Sequence, residues 1–547
     1  MILRPLLIIL ILNFSLCAQS SHFEIQPLPL VPKLAGSFGE LRNHHFHSGV
    51  DLRTAGKIGQ PVRAVTGGYV KRIVVRPKGF GWALYLAHPA GYTSVYAHLN
   101  DFKPALHEFI VKKALENKSN QIDLYPFKDE FPINAGDTIG WSGNSGSSSG
   151  PHLHFEWRDS RTEEPLNPVS YGLEIGDDLV EPKILAIHTS SGNKVKRLWF
   201  DTLIIKDWQD IGVEILEQQN INGPKLGIKS MSVWIEDMNE PKQQEVPDFS
   251  WEMTRFSFLN TRGADGHMQH NVHSLTRKRT YRIAPVYQPA KIWKDVYSFP
   301  GDGLYQLTIM IKTHSGQSTI SKGPILRDSK DSKWIDKEIS SNQWKSPAGN
   351  MKSENIRISW KQGTFMEPAQ HLIYQETISA SDFENTHTPY LDQKWICKPD
   401  LPVLKFIDFY WTPHPEFPMH LKSKAVIVGK DSRGSYKIVG TPIEGGEIKF
   451  RMKLWGDFFI QTDEVPPIIS LKGITSFQGK KAISFNLKDN LLDITKYSVK
   501  INEKWEWAYY DAKNEELLIP LNYDTADIKI YAEDEAHNLA TFEYKFQ

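Results

Sequence analysis

Five side chains in three short stretches have the types and spacing of a metal centre with neighbouring histidines. The stretches read HHFHSGVD at 44–51, YAH at 96–98 and GNSGSSSGPHLHFEW at 143–157. They supply His47, Asp51, His98, His152 and His154. Zinc prefers nitrogen and oxygen ligands in tetrahedral geometry, and a catalytic site uses three protein ligands and leaves one position open. The pattern therefore predicts a mononuclear zinc site, with histidines beside it that can transfer a proton or stabilise an oxyanion.

The spacing within the stretches indicates strands as the elements that position these groups. His152 and His154 are two residues apart, so on a strand they share a face. His47 and Asp51 are four apart and also share a face of an extended segment, unless a turn at 48–49 alters it. Two such strands side by side bring three ligands and one spare histidine together.

Hydrophobic alternation predicts further strands around the site, at 61–75 about a Gly67-Gly68 turn, at 82–86, at 92–99 and at 133–141. In the strand at 92–99 it predicts one face for Ser94, Tyr96 and His98, opposite Val95 and Ala97. Helical spacing begins at Pro104, which suits a first helical turn, and runs to about residue 117.

The remainder of the chain reads as short alternating strands with few helical signals, which favours stacked β-sandwich modules. The predicted fold is therefore mainly β: an antiparallel β-groove domain followed by two or three immunoglobulin-like sandwiches. We expect a zinc-site domain at 21–175 with a helical insertion at about 103–131. We expect sandwich modules at 180–328 and 340–462, and an immunoglobulin-like module at 463–547.

Length and charge narrow the classes of function. A chain of 547 residues needs several domains, and its 64 basic and 64 acidic residues give no net charge. That balance argues against non-specific electrostatic binding to nucleic acid or to an anionic membrane.

The N-terminus predicts export. Residues 1–18 have the charged, apolar and small-residue parts of a signal peptide, and the apolar run is too short for a comfortable membrane span. Lipidation at Cys17 is an alternative, although Leu16 is a poor match to the small residue that precedes such a cysteine. Cleavage leaves Cys397 as a lone thiol, so a disulfide within the mature chain is impossible.

At this point the motifs resemble a known family. HFHSGVDL, GYTSVYAHL and GNSGSSSGPHLHFEW closely resemble the zinc metallopeptidases of the lysostaphin and LytM type, peptidase family M23. The resemblance covers roughly residues 35 to 172, including AGDTIGWSGNSG and the closing NPVSYG. It implies that His47, Asp51 and His154 bind Zn²⁺ and that His98 and His152 are the catalytic histidines. It also implies an antiparallel β-groove and hydrolysis of peptide bonds in peptidoglycan stems or cross-links.

Two departures refine that expectation. The insertion is longer than the compact family core needs, and the sandwich modules follow the peptidase. This arrangement resembles large M23 proteins of Bacteroidota, which implies the periplasm or outer envelope of a Gram-negative cell and a D-alanyl to diaminopimelyl cross-link as substrate. An envelope protein bound through the C-terminal β modules is a further expected partner.

Two alternatives remain open from the sequence. Some M23-like domains have lost zinc ligands and activate a cell-wall amidase without catalysis, and an assembly or adhesion protein could carry a vestigial peptidase. The complete set of five site residues argues against both.

Other metal-like residues have simpler interpretations. His44 and His45 compete with His47 as ligand, but the aspartate four residues on selects His47. His88 is expected to be a structural histidine. The cluster ADGHMQHNVH, with Asp265, His267, His270 and His273, is expected to be a solvated loop. Asp489 and Asp493 in KDNLLD hint at calcium, but the glycine and glutamate of a known calcium loop are missing, so they are expected to form turns.

Overall fold

The structure is a computed structural model. It describes residues 22–40, 42, 46–191, 194–198, 203–205, 210–240, 247, 249–255, 272–274, 302–327, 347–353, 355–362, 364–365, 371–377, 393–398, 403, 405–430, 436–440, 442–443, 448–452, 455–491 and 493–547. The predicted signal peptide with Cys17, the histidines His44 and His45, and Asp265, His267 and His270 of the predicted solvated loop lie outside the described residues.

The site-bearing domain contains a nine-stranded antiparallel sheet with the order β1-β2-β11-β6-β5-β4-β8, in which β12 pairs with β11 and β9 with β4. A three-stranded sheet, β3-β10-β7, lies beside it. The strands are β1 (Leu34–Gly36), β2 (Val50–Arg53), β3 (Pro61–Arg63), β4 (Gly68–Val75), β5 (Trp82–Ala87), β6 (Tyr92–Ala97), β7 (Leu99–Phe102), β8 (Ile122–Leu124), β9 (Pro132–Ile133), β10 (Thr138–Ser142), β11 (His152–Asp159) and β12 (Pro165–Leu166).

Strand β11 shows why the site lies on one face of the large sheet. Its odd-numbered residues Leu153, Phe155 and Trp157 are buried in the hydrophobic core. Because side chains alternate along a strand, His154 and Glu156 point to the opposite face. The hydrophobic pattern thus fixes the register that presents the histidines.

One α-helix follows β7 in the site-bearing domain. Helix α1 spans Pro104–Asn117, as the spacing predicts, with proline in its first turn and Lys118 in a left-handed C-cap. Its buried face carries Leu106, Ile110 and Ala114, whereas Leu115 is exposed. Short 3-10 helices lie at Pro168–Tyr171 and Met419–Lys424.

Three pairs of sheets follow, which confirms the mainly β class with additional β modules. The first pair has the orders β14-β13-β16-β19 and β15-β21-β20-β17-β18. Its strands are β13 (Lys183–Ser191), β14 (Lys194–Leu198), β15 (Leu203–Ile205), β16 (Asp210–Leu216), β17 (Ser230–Asp237), β18 (Phe249–Glu252), β19 (Val272–Ser274), β20 (Gly303–Lys312) and β21 (Ser318–Arg327).

The second pair has the orders β22-β23-β26-β30-β29 and β24-β25-β31-β27-β28, and both sheets bury residues in one core. Its strands are β22 (Gly349–Ser353), β23 (Ile356–Trp360), β24 (Leu372–Thr377), β25 (Gln393–Lys398), β26 (Ile407–Trp411), β27 (Ala425–Lys430), β28 (Tyr436–Gly440), β29 (Pro442–Ile443), β30 (Ile448–Met452) and β31 (Asp457–Thr462).

The third pair has the orders β32-β33-β37-β36 and β35-β34-β38-β39, again around one core. Its strands are β32 (Ile468–Phe477), β33 (Lys480–Lys488), β34 (Ile494–Ile501), β35 (Lys504–Glu506), β36 (Tyr509–Asp511), β37 (Glu516–Pro520), β38 (Ala526–Asp534) and β39 (Leu539–Phe546). The module boundaries given above stay predictions. Among the described residues, no helix has the length and apolar character needed to cross a membrane.

The last sheet pair folds back onto the site-bearing domain. Trp82 of β5 packs edge-on against Trp507 and Tyr509, with ring centroids 5.7 and 5.5 Å apart. The Asn120 side chain accepts the backbone N–H of Ala508 and donates to the Tyr497 carbonyl. The C-terminal module is therefore docked beside the site domain, although the two are separated by more than 300 residues of sequence.

Candidate metal centre

Three of the predicted residues converge at the junction of β2 and β11. His154 lies directly opposite Asp51 in the strand pairing. The Asp51 Oδ1 atom is 2.8 Å from His154 Nδ1 and 3.2 Å from His47 Nε2, and the two histidine nitrogens are 3.1 Å apart. All three residues are buried, which is the arrangement of a preformed ligand set.

The outer nitrogen of each histidine is held by a protein acceptor. His47 Nδ1 donates to the Ser37 carbonyl at 2.8 Å, and His154 Nε2 donates to Glu156 Oε1 at 3.0 Å. Such bonds fix the tautomer and the orientation of a metal-binding imidazole. They leave His47 Nε2 and His154 Nδ1 as the nitrogens that face Asp51.

Glu156 is a fully buried carboxylate that anchors this arrangement. Its Oε1 also accepts the Ser48 hydroxyl at 2.6 Å, and its Oε2 accepts Arg158 Nε at 2.5 Å. Burial opposes its ionisation, but Arg158 and His154 outweigh burial and lower the pKa of Glu156 to about 2. The group is therefore a fixed negative charge behind His154.

The charges of the ligand set are coupled. Burial opposes the ionisation of Asp51, but His47 and the hydrogen bonds from His152 and His154 hold the pKa of this carboxyl well below its usual range. Burial disfavours a charged His154, yet its bonds to Asp51 and Glu156 raise its pKa to about 9. Because a metal ligand must be deprotonated, a metal ion bound at His154 Nδ1 would displace a proton.

The donor set fits zinc. Bonds of about 2.0–2.1 Å in tetrahedral geometry place ligand atoms about 3.3 Å apart, close to the 2.8–3.2 Å separations seen here. Two imidazole nitrogens and one carboxylate oxygen are ligands that zinc accepts. His47, Asp51 and His154 are thus able to hold the ion that the sequence pattern predicts.

The other two predicted residues lie beside this set. The His98 ring is 4.9 Å from the His152 ring and 5.8 Å from the His154 ring. His98 Nδ1 donates to the Ser145 carbonyl at 2.9 Å, and His152 Nδ1 donates to the Gly150 carbonyl at 2.8 Å. His98 therefore keeps its Nε2 available, whereas His152 Nε2 faces Asp51 Oδ1 at 3.4 Å.

His98 has a neutral ring. Burial, together with the nearby His154 and His152, lowers the pKa of His98 to about 3. A neutral imidazole can accept a proton, as a general base must.

The predicted face of His98 is wrong. Strand β6 ends at Ala97, and His98 has a left-handed backbone with φ of 58°. Tyr96 points to the core beside Phe155, whereas His98 reaches the face that carries His154. A residue that is not in the extended conformation no longer follows the alternation of side chains between the two faces of a sheet. The sequence pattern gave no sign of this left-handed residue.

Sequence reasoning missed Glu156 as a supporting residue. A signal was present, because Glu156 is two residues after His154 and so shares its face. The Ser37 and Ser145 carbonyls were also missed, and they left no side-chain signal.

Three further residues were considered as metal ligands from the sequence. The structure gives two of them a structural role and places the third in a separate acidic cluster. His88 bonds the Gly67 carbonyl and the Ser94 hydroxyl and stacks on Trp157, as expected of a structural histidine. Asp493 forms an ion pair with Lys78. Asp489 accepts the Leu491 N–H in a turn, but it also joins an acidic cluster that is described below.

The C-terminal module contacts the glycine-serine loop, defined here as residues 143–150. Lys513 Nζ donates to the Asn144 carbonyl and lies 3.4 Å from the Ser148 carbonyl. The same loop supplies the Ser145 carbonyl to His98 and the Ser148 hydroxyl near His152. A module distant in sequence therefore braces the loop that orients both histidines.

Comparison with curated proteins identifies relatives of the site-bearing region. The chain is 31% identical over 160 residues to the DD-carboxypeptidase/endopeptidase Mpg of Neisseria meningitidis, a match that covers 28% of this chain and 30% of that protein. It is 27% identical over 180 residues to an uncharacterized metalloprotease of Haemophilus influenzae, covering 32% of this chain and 33% of the relative. The similarity thus spans about a third of the length of each relative.

Solved structures show weaker similarity. The catalytic domain of the antimicrobial peptidase lysostaphin from Staphylococcus simulans is 25% identical, covers 23% of this chain and 80% of its own, and gives a TM-score of 0.18. The catalytic domain of the prophage-encoded M23 protein EnpA from Enterococcus faecalis is 22% identical, covers 26% of this chain and 92% of its own, and gives a TM-score of 0.20.

The family comparison concerns the first half of the site. Residues 45–114, which include His47, Asp51 and His98, match the sequence model of Peptidase family M23. The strand pairing described above adds His152 and His154 to the same site. The N-terminal domain of this chain is therefore similar to Peptidase family M23, through residues 45–114 and through the region shared with the Neisseria relative.

Proposed function

We propose that this chain is an exported zinc metalloendopeptidase that hydrolyses peptide bonds of peptidoglycan. The observation that carries the proposal is the convergence of His47 Nε2, His154 Nδ1 and Asp51 Oδ1 within 3.2 Å of one another. The endopeptidase activity in the name of the Neisseria relative supports the choice of substrate.

His47, Asp51 and His154 would hold the zinc ion. A zinc ion in such a site polarises the scissile carbonyl and lowers the pKa of water. Glu156 and the Ser37 carbonyl keep the two imidazoles oriented toward it.

His98 and His152 would perform the proton transfers. Both rings are oriented by backbone carbonyls through Nδ1, so their Nε2 atoms are the ones that exchange protons. One accepts a proton from the attacking water and returns it to the leaving amine, while the other hydrogen-bonds the carbonyl oxygen as it becomes an oxyanion. The glycine-serine loop has little side-chain bulk, so a peptide backbone can approach closely.

The cellular setting follows from the substrate. Peptidoglycan lies outside the cytoplasm, in agreement with the predicted signal peptide at 1–18, and we place the protein in the periplasm or outer envelope of a Gram-negative cell. The C-terminal β modules would position the enzyme on the wall or on an envelope protein.

The test measures zinc content and the release of cross-link fragments from purified sacculi. His47→Ala and His154→Ala should lose both zinc and cleavage because each removes a ligand. His152→Ala should keep most of the zinc and lose turnover. His414→Ala is the matched control, because it changes an exposed histidine of the second pair of sheets. This variant should keep both its zinc and its cleavage activity.

Two results would overturn parts of the proposal. Full zinc and cleavage in His154→Ala would remove His154 from the ligand set, and zinc loss in His152→Ala equal to that in His47→Ala would exchange the roles of the two histidines. Zinc-loaded wild-type protein that cleaves no sacculus would instead favour a regulator that activates an amidase.

A further inference from the structure

Three aspartates meet where the second and third sheet pairs join. Asp463 lies in the link between β31 and β32, Asp489 follows β33, and Asp534 ends β38. One carboxylate oxygen from each lies within 4.8 Å of the other two. The cluster is distant in sequence from the zinc-type site and contains only oxygen donors.

Two of these carboxylates are deeply buried. Asp463 is 2% exposed and Asp534 is fully buried. Asp463 Oδ1 accepts the Val465 N–H at 3.1 Å, whereas Asp463 Oδ2 is buried and has no hydrogen-bond partner among the described residues. A buried carboxylate oxygen without a donor is costly unless a cation compensates it.

The part of the chain that the structure describes supplies no such cation. No Lys or Arg within it forms an ion pair with Asp463 or Asp534, and Lys424 Nζ bonds the Asn538 amide oxygen instead. Burial, with the charges of Asp489 and Asp534, raises the pKa of Asp463 to about 6. Burial is the larger cause, and the repulsion between like charges adds to it.

The geometry points to a Ca²⁺ site formed by Asp463, Asp489 and Asp534. Ca²⁺ takes six to eight oxygen ligands at about 2.3–2.6 Å, so opposite ligand atoms lie up to about 5 Å apart. The spacing of the three carboxylates is within that span. Mg²⁺ fits less well, because it keeps several waters and is usually bound by one or two carboxylates.

The surroundings are arranged to hold these ligands. The Asn538 side chain donates to the Asp463 carbonyl at 3.0 Å and to Asp534 Oδ2 at 2.8 Å, so it ties the link to the end of β38. A small apolar cluster of residues from both sheet pairs packs at the same junction: Val426, Val428, Phe459 and Ala536, with Leu491 against them. Bound Ca²⁺ would fix the angle between the two modules, whatever the peptidase domain hydrolyses.

The test is equilibrium dialysis of the full chain against Ca²⁺, with zinc present at one equivalent to occupy the other site. We expect one Ca²⁺ per chain with a Kd between about 10⁻⁵ and 10⁻³ M, the range of sensor and extracellular sites. Asp463→Asn and Asp534→Asn should weaken binding at least about tenfold, as expected when a charged ligand is lost. Asp524→Asn, an exposed aspartate of the same module, should leave binding unchanged.

Thermal unfolding separates ligand loss from misfolding. Ca²⁺ should raise the Tm of wild type and Asp524→Asn but not that of Asp463→Asn. Without Ca²⁺, Asp463→Asn should melt no lower than wild type, because it removes one of three repelling charges. If that variant does not fold, Asp489→Asn, at the least buried of the three positions, takes its place.

Three results would contradict the proposed Ca²⁺ site. Ca²⁺ binding that is undiminished in the folded cluster variants would place the ion elsewhere. Absence of binding at about 10 mM, above the range of extracellular calcium modules, would leave the cluster without a cation. Mg²⁺ bound as tightly as Ca²⁺ would contradict the choice of ion.

Discussion

A substitution at Glu156 tests whether the residue that orients His154 contributes to zinc affinity, because it leaves the three proposed zinc ligands unchanged. Glu156→Gln keeps the shape of the side chain and an acceptor oxygen for His154 Nε2, which lies 3.0 Å from Oε1, but it removes the negative charge. Because the pKa of Glu156 is lowered to about 2, that charge is present in wild type at neutral pH. The substitution therefore isolates the charge behind His154.

The expected magnitude follows from the hydrogen bond. Bonds to charged groups contribute about 1.5–3 kcal/mol and neutral ones about 0.5–1.5 kcal/mol. The difference of about 1–1.5 kcal/mol corresponds to about a tenfold loss of zinc affinity, at about 1.4 kcal/mol per factor of ten. This agrees with the 10- to 100-fold effects usual for groups that orient metal ligands, of order 1–3 kcal/mol.

The assay is competition for zinc against a chromophoric chelator at fixed pH. Glu163→Gln is the matched control, because Glu163 also contacts Arg158, at 3.4 Å, yet it does not bond His154. Thermal unfolding of the zinc-free proteins measures the separate cost of weakening the buried pair of Glu156 with Arg158. Zinc bound by Glu156→Gln as tightly as by wild type and Glu163→Gln would refute the supporting role.

Three further perturbations test the packing around the site. Burial, with the nearby Asp178, raises the pKa of Glu217 to about 8, so the folded state keeps a proton that the unfolded chain loses above its ordinary pKa of 4.5. Stability should fall between pH 5 and 8 by up to about 1.4 kcal/mol per pH unit, and Glu217→Gln should flatten that decline in urea unfolding curves. Lys513→Ala should lower turnover on sacculi with little change in zinc content, because it removes a brace from the glycine-serine loop, whereas Lys504→Ala in the same module should not. Gly146→Ala should impair folding or turnover, since its φ is +67° and a Cβ would lie 2.4 Å from backbone atoms, and circular dichroism with the sacculus assay would detect either.

Each of these expectations can fail in a recognisable way. A pH profile that is equally steep in Glu217→Gln would assign the decline to other groups. Equal turnover in Lys513→Ala and Lys504→Ala would mean that the docked module does not influence the loop. Wild-type stability and turnover in Gly146→Ala would show that the loop tolerates a different backbone.

Much of the site could be predicted from sequence because its information is local. The two-residue spacing of His152 and His154, in a run whose alternate residues Leu153, Phe155 and Trp157 are apolar, predicts a strand with both histidines on the polar face. The same logic places α1 at Pro104–Asn117, where proline and apolar periodicity coincide. Local periodicity records which face of an element is buried, so it identifies elements and their functional faces.

Other features could not be read in this way. His98 leaves its strand through a left-handed backbone, and its ring depends on the Ser145 carbonyl. The predicted turn at Gly67-Gly68 separates β3 from β4, but these strands join different sheets instead of pairing with each other. Asp489 looked like a simple turn residue, and only its distance from Asp463 and Asp534 makes it part of a cluster.

The sequence by itself determined the residue types of the candidate metal centre and their spacing along the chain. It also determined the mainly β class of the fold. The tertiary structure decided which nitrogen of each histidine faces Asp51, which carboxylate stands behind His154, and which distant module braces the glycine-serine loop. The physical reason is that these contacts join residues tens to hundreds of positions apart, often through backbone carbonyls. Every residue carries such a carbonyl, so only folding selects the one that a given side chain meets.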